Sequence, residues 1–367
     1  MHFDIELTAR EDVPTWMGYA TPVVTVLVAL AVSAVAFVAL GVSPISAYEA
    51  MFVSTLTTEF GLRETVIRAV PLALAGLAVY LPMKAQLWNI GAEGQLLIGA
   101  TVGTWVGLNV ALPAVALLPL MLVCAGVAGA AWAAVPAWLR ARWNINEIIT
   151  TLLLTFVAVD VKNFLVRGPM QAPTGSFAQT EILPANAQLP TLPWFNVHAG
   201  ILVALAVVVV ISLLINHTRL GYQITFIGAN HQAAAQAGMN KRAVYVFVLV
   251  VGGALAGLAG ISEISGVQTR LRAFFEPGYG YTAIPIALLG RNGALRVLLA
   301  ALFFAVIFVG GSSMGVTLGV PAAIVDVIQA LIILFLITAE FFKSYSIDMT
   351  LRRRTDRPNT GRVGGDT

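Results

Sequence analysis

Ten apolar runs punctuate the sequence, most of them long enough to cross a bilayer, and that feature leaves the chain few folds. The runs cover residues 19–40, 62–81, 87–110, 114–139, 145–166, 199–215, 243–261, 279–290, 295–310 and 320–342. A hydrocarbon core about 30 Å thick takes roughly 20 apolar residues as a helix. The fold class expected is therefore all-α, a polytopic membrane helical bundle of about ten spans that includes broken or half-spanning helices. Composition agrees, with 58% of residues hydrophobic and 11% charged, against about 25% charged in soluble domains. Disordered, collagenous and disulfide-built chains are excluded. The one cysteine, Cys124, lies inside an apolar run and reads as a small core side chain.

The first run is expected to stay as a span rather than be cleaved as a signal peptide. The segment before it carries Asp4, Glu6, Glu11 and Asp12 against Arg10, the wrong flank for a basic leader region. Basic residues then orient the bundle, because cytoplasmic loops are enriched in Lys and Arg. One set of loops holds Lys84, Arg140, Arg142, Arg219, Lys241, Arg242, Arg291 and Arg296; the other holds Arg63, Arg167, Arg270 and Arg272. Both termini fall on the richer side, so both are expected in the cytoplasm. This count keeps 279–290 as a half-span packed inside the bundle, since about 12 residues cannot cross alone. The domain plan is a cytoplasmic segment 1–18, a transmembrane domain 19–343 and a basic tail 344–367 without structure. Within the domain, 43–60 reads as a surface-lying amphipathic helix. Residues 167–198, with five prolines, form a long external loop that is either plain connection or a docking surface, and 217–242 forms a cytoplasmic loop.

Enzymatic chemistry finds no footing. There is no G-x-x-x-x-G-K-[ST] phosphate loop, so the chain has no ATPase site of that kind, and no H-E-x-x-H. Gly311-Ser312-Ser313-Met314-Gly315 matches G-x-S-x-G, but that elbow needs a strand before it and a helix after it; here it is expected to link two membrane helices. His2, His198, His217 and His231 fall in tails, loops or span ends, which leaves neither a serine-activating histidine nor a metal cluster within the bundle. No catalytic residue, metal or cofactor is assigned to the chain.

The chemistry present lies at breaks in the apolar runs. The densest polar cluster is Asn89-Ile90-Gly91-Ala92-Glu93-Gly94-Gln95. Asn89 and Glu93, four apart, are expected to share a helix face, and Gly91, Gln95, Gly99, Gly103 and Gly107 form a stripe at the same spacing, a surface on which another backbone can lie. Their primary role is expected to be structural, bonding backbone groups opened by Gly91 and Gly94, ahead of direct solute contact. A second break, Glu276-Pro277-Gly278-Tyr279-Gly280-Tyr281, leads into the half-span. Interrupted hydrophobic segments in both halves are the pattern of a midplane path built from discontinuous helices. Asn89, Glu93, Gln95, Tyr279 and Tyr281 are the candidate path or helix-break residues. Gly253 and Gly257 read as a packing contact, while Asp160 with Lys162 and Asp326 with Gln329 read as pairs inside the bundle. In the cytoplasmic loop Asn230 can cap a short Ala-rich helix over 233–237 that Gly238 ends; its smooth surface suits docking to another protein, or a plain connector.

Leu87-Trp88-Asn89-Ile90-Gly91-Ala92-Glu93-Gly94-Gln95, together with Gly228-x-Asn230-x-x-Ala233-Ala234-x-x-x-Gly238, resembles the permease subunit of bacterial ABC importers, in the ribose, simple-sugar and nucleoside branch related to branched-chain amino acid permeases. Asn146-Glu147-Ile148-Ile149, Arg167-Gly168-Pro169 and Ala287-Leu288-Leu289-Gly290-Arg291-Asn292 add to the likeness, which covers roughly 19–342 and is nearest the nucleoside members. Two departures, Thr282-Ala283-Ile284-Pro285 and Gly293-Ala294-Leu295, both sit at the half-span. The resemblance implies a permease in the inner membrane that pairs with a second, similar or identical permease. ATP and Mg would be bound by a separate cytoplasmic ATPase, and solute would be delivered by an external binding protein. Gly228, Asn230, Ala233, Ala234 and Gly238 would then form the ATPase-coupling loop. The expected solute is neutral, a nucleoside first and a simple sugar such as ribose second. The rival reading from another class is a self-contained ion-coupled transporter or channel.

Overall fold

The computed structural model describes residues 2–9, 15–39, 41–173, 177–193, 195–319, scattered positions between 321 and 339, and 345–352. Two compact units are present, Met1–Ala36 with Ala330–Thr367 and, separately, Phe37–Gln329. The first contains most of helix α1 (Thr15–Ala39) and an antiparallel ribbon of His2–Ala9 with Tyr345–Arg352. The ribbon takes in residues 345–352 of the segment 344–367 expected to be an unstructured tail. Both segments alternate apolar and polar residues with a period of two, and the register sets Phe3, Ile5 and Leu7 opposite Leu351, Met349 and Ile347. The rest of the expected tail, 353–367, and much of the tenth run lie outside the described residues.

The second unit opens with a helical stretch over 44–57, made of α2 (Pro44–Tyr48), a π turn and α3 (Ser54–Thr57). Then follow α4 (Glu59–Met83), α5 (Ala92–Asn109), α6 (Ala114–Trp143), α7 (Glu147–Arg167), α8 (Gly200–His217), α9 (Arg219–Ala229), α10 (His231–Gln236), α11 (Lys241–Glu263), α12 (Tyr279–Leu289) and α13 (Ala294–Leu318). Six of these are long and apolar enough to cross a membrane: α4, α6, α7, α8, α13, and α11 with the π turn that extends it to Gln268. In α4 every residue from 69 to 82 is buried, as a helix apolar on all sides requires. It packs with α11, α12 and α13 at the centre of the unit. By contrast α6, α7 and α8 turn Val123, Val127, Leu153, Phe156, Phe164, Leu205 and Val209 outward, the apolar surface that lipid accepts.

α11 lies between α5 and α6, and glycines make that possible. A Cβ on Gly99 would strike the Gly257 backbone, and one on Gly257 the Ala125 carbonyl, so the small-residue packing expected at Gly253 and Gly257 holds. The 167–198 loop is packed connection rather than open chain. Thr180 N–H donates to the Leu271 carbonyl at 2.9 Å, Leu183 N–H to Thr269 at 2.8 Å and Leu189 N–H to Ser265 at 3.0 Å. Leu183 and Ala187 are buried with Val106, Met121, Ile261 and Leu271. His198, where the loop meets α8, is buried too; burial lowers its pKa to about 4, so its ring is neutral. The G-x-S-x-G match lies within α13 instead of linking two helices, and Ser312 only donates to the Phe308 carbonyl one turn back.

Candidate functional site

The two interrupted segments meet, and Glu93 joins them. α5 starts at Ala92, so Glu93 sits in its first turn, where a negative charge is favoured. Its carboxylate reaches across to the start of α12. There Gly278 N–H donates to Oε1 at 3.0 Å and Gly280 N–H to Oε2 at 2.6 Å. Those donors sit at the N-terminus of α12, where backbone N–H groups have no partner within the helix. Gly280 has to be glycine, because a Cβ there would run into the Glu93 backbone.

Asn89 is not on a face shared with Glu93, as the spacing suggested. It precedes the helix, in a stretch that Gln86, at φ +59°, turns away from α4. Its side chain and that of Gln95 exchange two hydrogen bonds of 2.8 Å, and its amide also donates to the Ala78 carbonyl of α4 at 3.2 Å. All of Asn89, Glu93 and Gln95 are buried. The backbone groups that Glu93 bonds belong to the second break, not to the one at Gly91 and Gly94.

The second break is held from two further directions. Lys162 of α7 donates to the Phe275 carbonyl at 2.7 Å and lies 3.6 Å from Glu276. The pairing of Lys162 with Asp160 is therefore replaced; residues two apart point to different sides of a helix, and Asp160 is exposed. Asp326 is exposed as well, and Gln329 lies outside the described residues. From α4, Arg68 donates to the Tyr279 hydroxyl at 2.8 Å. Tyr279 is buried, whereas Tyr281, the other tyrosine expected on a path, is 42% exposed and does not join it.

Over this junction lies a cavity of about 580 Å³, walled among others by Arg68, Gln179, Glu263, Gln268, Phe274 and Tyr279. Its charged lining residues are Arg68, Arg272, Glu263 and Glu276, two of each sign. Arg68, Glu263 and Gln268 were not among the sequence candidates. The signal that marks Arg68 and Glu263 is an ionisable residue within or ending a membrane helix.

Against the turn that ends α4 lies α9, a helix where the sequence predicts loop, and after it comes α10, whose cap and end fall at Asn230 and Gly238 as expected although the helix starts two residues earlier, at His231. Asn230 Oδ1 accepts from Gln232 and Ala233 N–H at 3.0 Å each, and Gly238 ends the turn at φ +71°. Gly228 lies against the backbone of Lys84 and Ala85, in the turn between α4 and Asn89. Ala234, expected on the docking surface, is fully buried, while Gln232, Ala235 and Gln236 are exposed. The Asn-Glu-Ile-Ile motif also has a place. Asn146 caps α7, and Glu147 accepts from Trp88 N–H at 3.3 Å and lies 3.2 Å from Arg140. It ties α6 and α7 to the segment that leads to Asn89.

A bundle of membrane helices with two interrupted segments clasped beside a polar cavity is the architecture of a solute permease. Over residues 61–337 the chain matches the branched-chain amino acid transport system / permease component family, and it belongs to that family. It is 59% identical to the glucose ABC transporter permease protein TsgB13 of Haloferax volcanii, across 100% of this chain and 99% of the relative. It is 33% identical to the guanosine ABC transporter permease protein NupP of Bacillus subtilis, over 86% of this chain and 91% of the relative. A second Haloferax volcanii protein, the putative glucose ABC transporter permease protein TsgC13, is 26% identical over 66% of this chain and 74% of its own length. No solved structure matches.

Proposed function

We propose that the chain is one of two permease subunits of an ATP-binding-cassette importer for a neutral simple sugar of the glucose kind. The observation that carries the solute is the end-to-end likeness to a permease named for glucose, and it reverses the order in which nucleoside and sugar were expected. The equal numbers of acidic and basic side chains around the cavity fit the same reading, since an anionic solute calls for an excess of basic groups. A nucleoside is the second reading, favoured by the likeness to NupP. The likeness to both TsgB13 and TsgC13 favours a second permease that is related but not identical.

In this reading the bundle has about ten spans, with both termini, the 217–242 loop and an ATP- and Mg-binding ATPase in the cytoplasm. An external binding protein delivers the solute over the 167–198 loop. α10 seats on the ATPase, and movement there passes through Gly228 to the Lys84–Ala85 turn and so to the segment holding Asn89 and Glu93.

The test is uptake by the permease pair reconstituted with its ATPase and binding protein. ATP-dependent accumulation of D-glucose is expected, with competition by other monosaccharides and weaker or no competition by nucleosides. The chain alone in liposomes is expected to accumulate nothing under sodium, proton or voltage gradients. Gradient-driven accumulation by the lone chain overturns the ABC reading, and competition by nucleosides in place of sugars moves the solute to the second reading.

A further inference from the structure

We infer that the cavity over the second helix break is a solute-binding station of the translocation path, in which Glu263 accepts hydroxyls of a monosaccharide and the Arg68–Tyr279 pair supplies the facing donor. The inference rests on the proposed sugar importer and goes beyond it by assigning the site.

Glu263 carries the argument. The residue is 2% exposed at the end of α11. Oε1 accepts from the Gln268 amide at 3.0 Å, and Oε2 has no hydrogen-bond partner among the described residues. A buried carboxylate oxygen in that state is costly, and its persistence calls for a further donor. The residue stands in a cavity wall with Oε2 enclosed, so a hydroxyl that enters and turns the carboxylate toward the cavity supplies that donor. Other wall residues fit a sugar. Arg68 keeps donor capacity beyond its one bond to Tyr279, because a guanidinium has five N–H groups. Gln179 and Gln268 add amides, and Phe274, 84% exposed, presents a ring for the apolar face of a pyranose. The volume of about 580 Å³ lies within the range of small-ligand pockets, about 300–1,000 Å³. The balanced charges leave no net field to favour an ion.

The site is also wired to the rest of the molecule. Tyr279 and Gly280 are neighbours, so the residue that holds Arg68 adjoins the one clasped by Glu93. A solute that shifts Tyr279 acts directly on the junction of the two broken segments.

The experiment uses the full-length permease assembled with its partner permease and ATPase in lipid nanodiscs, without binding protein. Cys124→Ser with Gln179→Cys puts one thiol in the cavity wall, and its rate of modification by a small thiol reagent is measured with D-glucose or sodium chloride as the probe. Glucose is expected to slow modification several-fold while chloride leaves it unchanged. Adding Glu263→Gln is expected to abolish the protection without changing the unprotected rate or co-purification of the ATPase, and, in liposomes with the binding protein added, to raise KM for uptake about tenfold with kcat little altered. Arg68→Lys, which keeps the charge but loses the fork, is expected to weaken protection partially. Absence of protection in a complex that transports glucose overturns the site and leaves the importer standing. Protection that survives Glu263→Gln overturns the assignment of Glu263. A complex that transports no monosaccharide and shows no protection removes both the site and the sugar reading.

Discussion

Glu93 shows how much one side chain can hold when both carboxylate oxygens are committed. Each accepts a backbone N–H from the start of α12, so an amide in its place keeps one acceptor and turns an NH₂ group toward the other donor. Glu93→Gln is therefore expected to lower thermal stability in detergent, and Glu93→Ala to lower it further. The alanine leaves the N–H groups of Gly278 and Gly280 unpaired, at a cost of about 1–3 kcal/mol each. Melting of the purified permease, followed by loss of monodispersity on heating, gives the order; a Glu93→Gln protein as stable as the parent would falsify the two-bond clasp. In the sequence Glu93 reads as a structural carboxylate beside glycines. It could not show that the bonded backbone belongs to Gly278 and Gly280, because the partners lie 185 and 187 residues further along the chain.

Elements transmit what residues hold, and the α9–α10 pair is the clearest instance. α10 is six residues long, so its place depends on the Asn230 cap, the Gly238 turn and the burial of Ala234 beneath it. Charging Ala234 would unseat the helix whatever it docks on, so the docking surface is tested at Ala235 and Gln236, which are exposed. The double substitution Ala235→Glu with Gln236→Glu is expected to leave expression and melting unchanged. It should cut co-purification of the ATPase and ATP-driven uptake at least tenfold, as like charges or unpaired carboxylates at a docked surface do. Full ATPase recovery with that variant would remove α10 from the interface. The short helix itself was legible from Asn230 and Gly238, since caps act within one turn. Which alanine faces inward was not, because nothing in an Ala-rich run distinguishes one side from another.

For the whole molecule, orientation is the prediction that matters. The excess of basic residues in one set of loops predicts Gln232 in the cytoplasm and Glu181 outside. Both positions are exposed. In a Cys124→Ser background, Glu181→Cys is expected to react with a membrane-impermeant thiol reagent in intact cells, and Gln232→Cys only after the cells are opened. The reverse pattern would invert the orientation.

What the sequence determined by itself are the properties carried by short windows. Apolar runs placed α4 to α8, α11 and α12 to within about five residues and the start of α13, which continues to Leu318 past the run's end at 310; α9 had no run, the shortness of 279–290 marked α12, and glycines and prolines marked both breaks. The tertiary structure alone decided which groups from distant windows meet. It joined Glu93 to Gly278 and Gly280, gave Lys162 to Glu276 in place of Asp160, and brought Arg68, Glu263 and Tyr279 to one cavity. Hydrophobicity and capping are local and can be read along the chain. A polar group buried among apolar helices must be paired wherever a partner can be found, and which partner is within reach depends on how the helices pack.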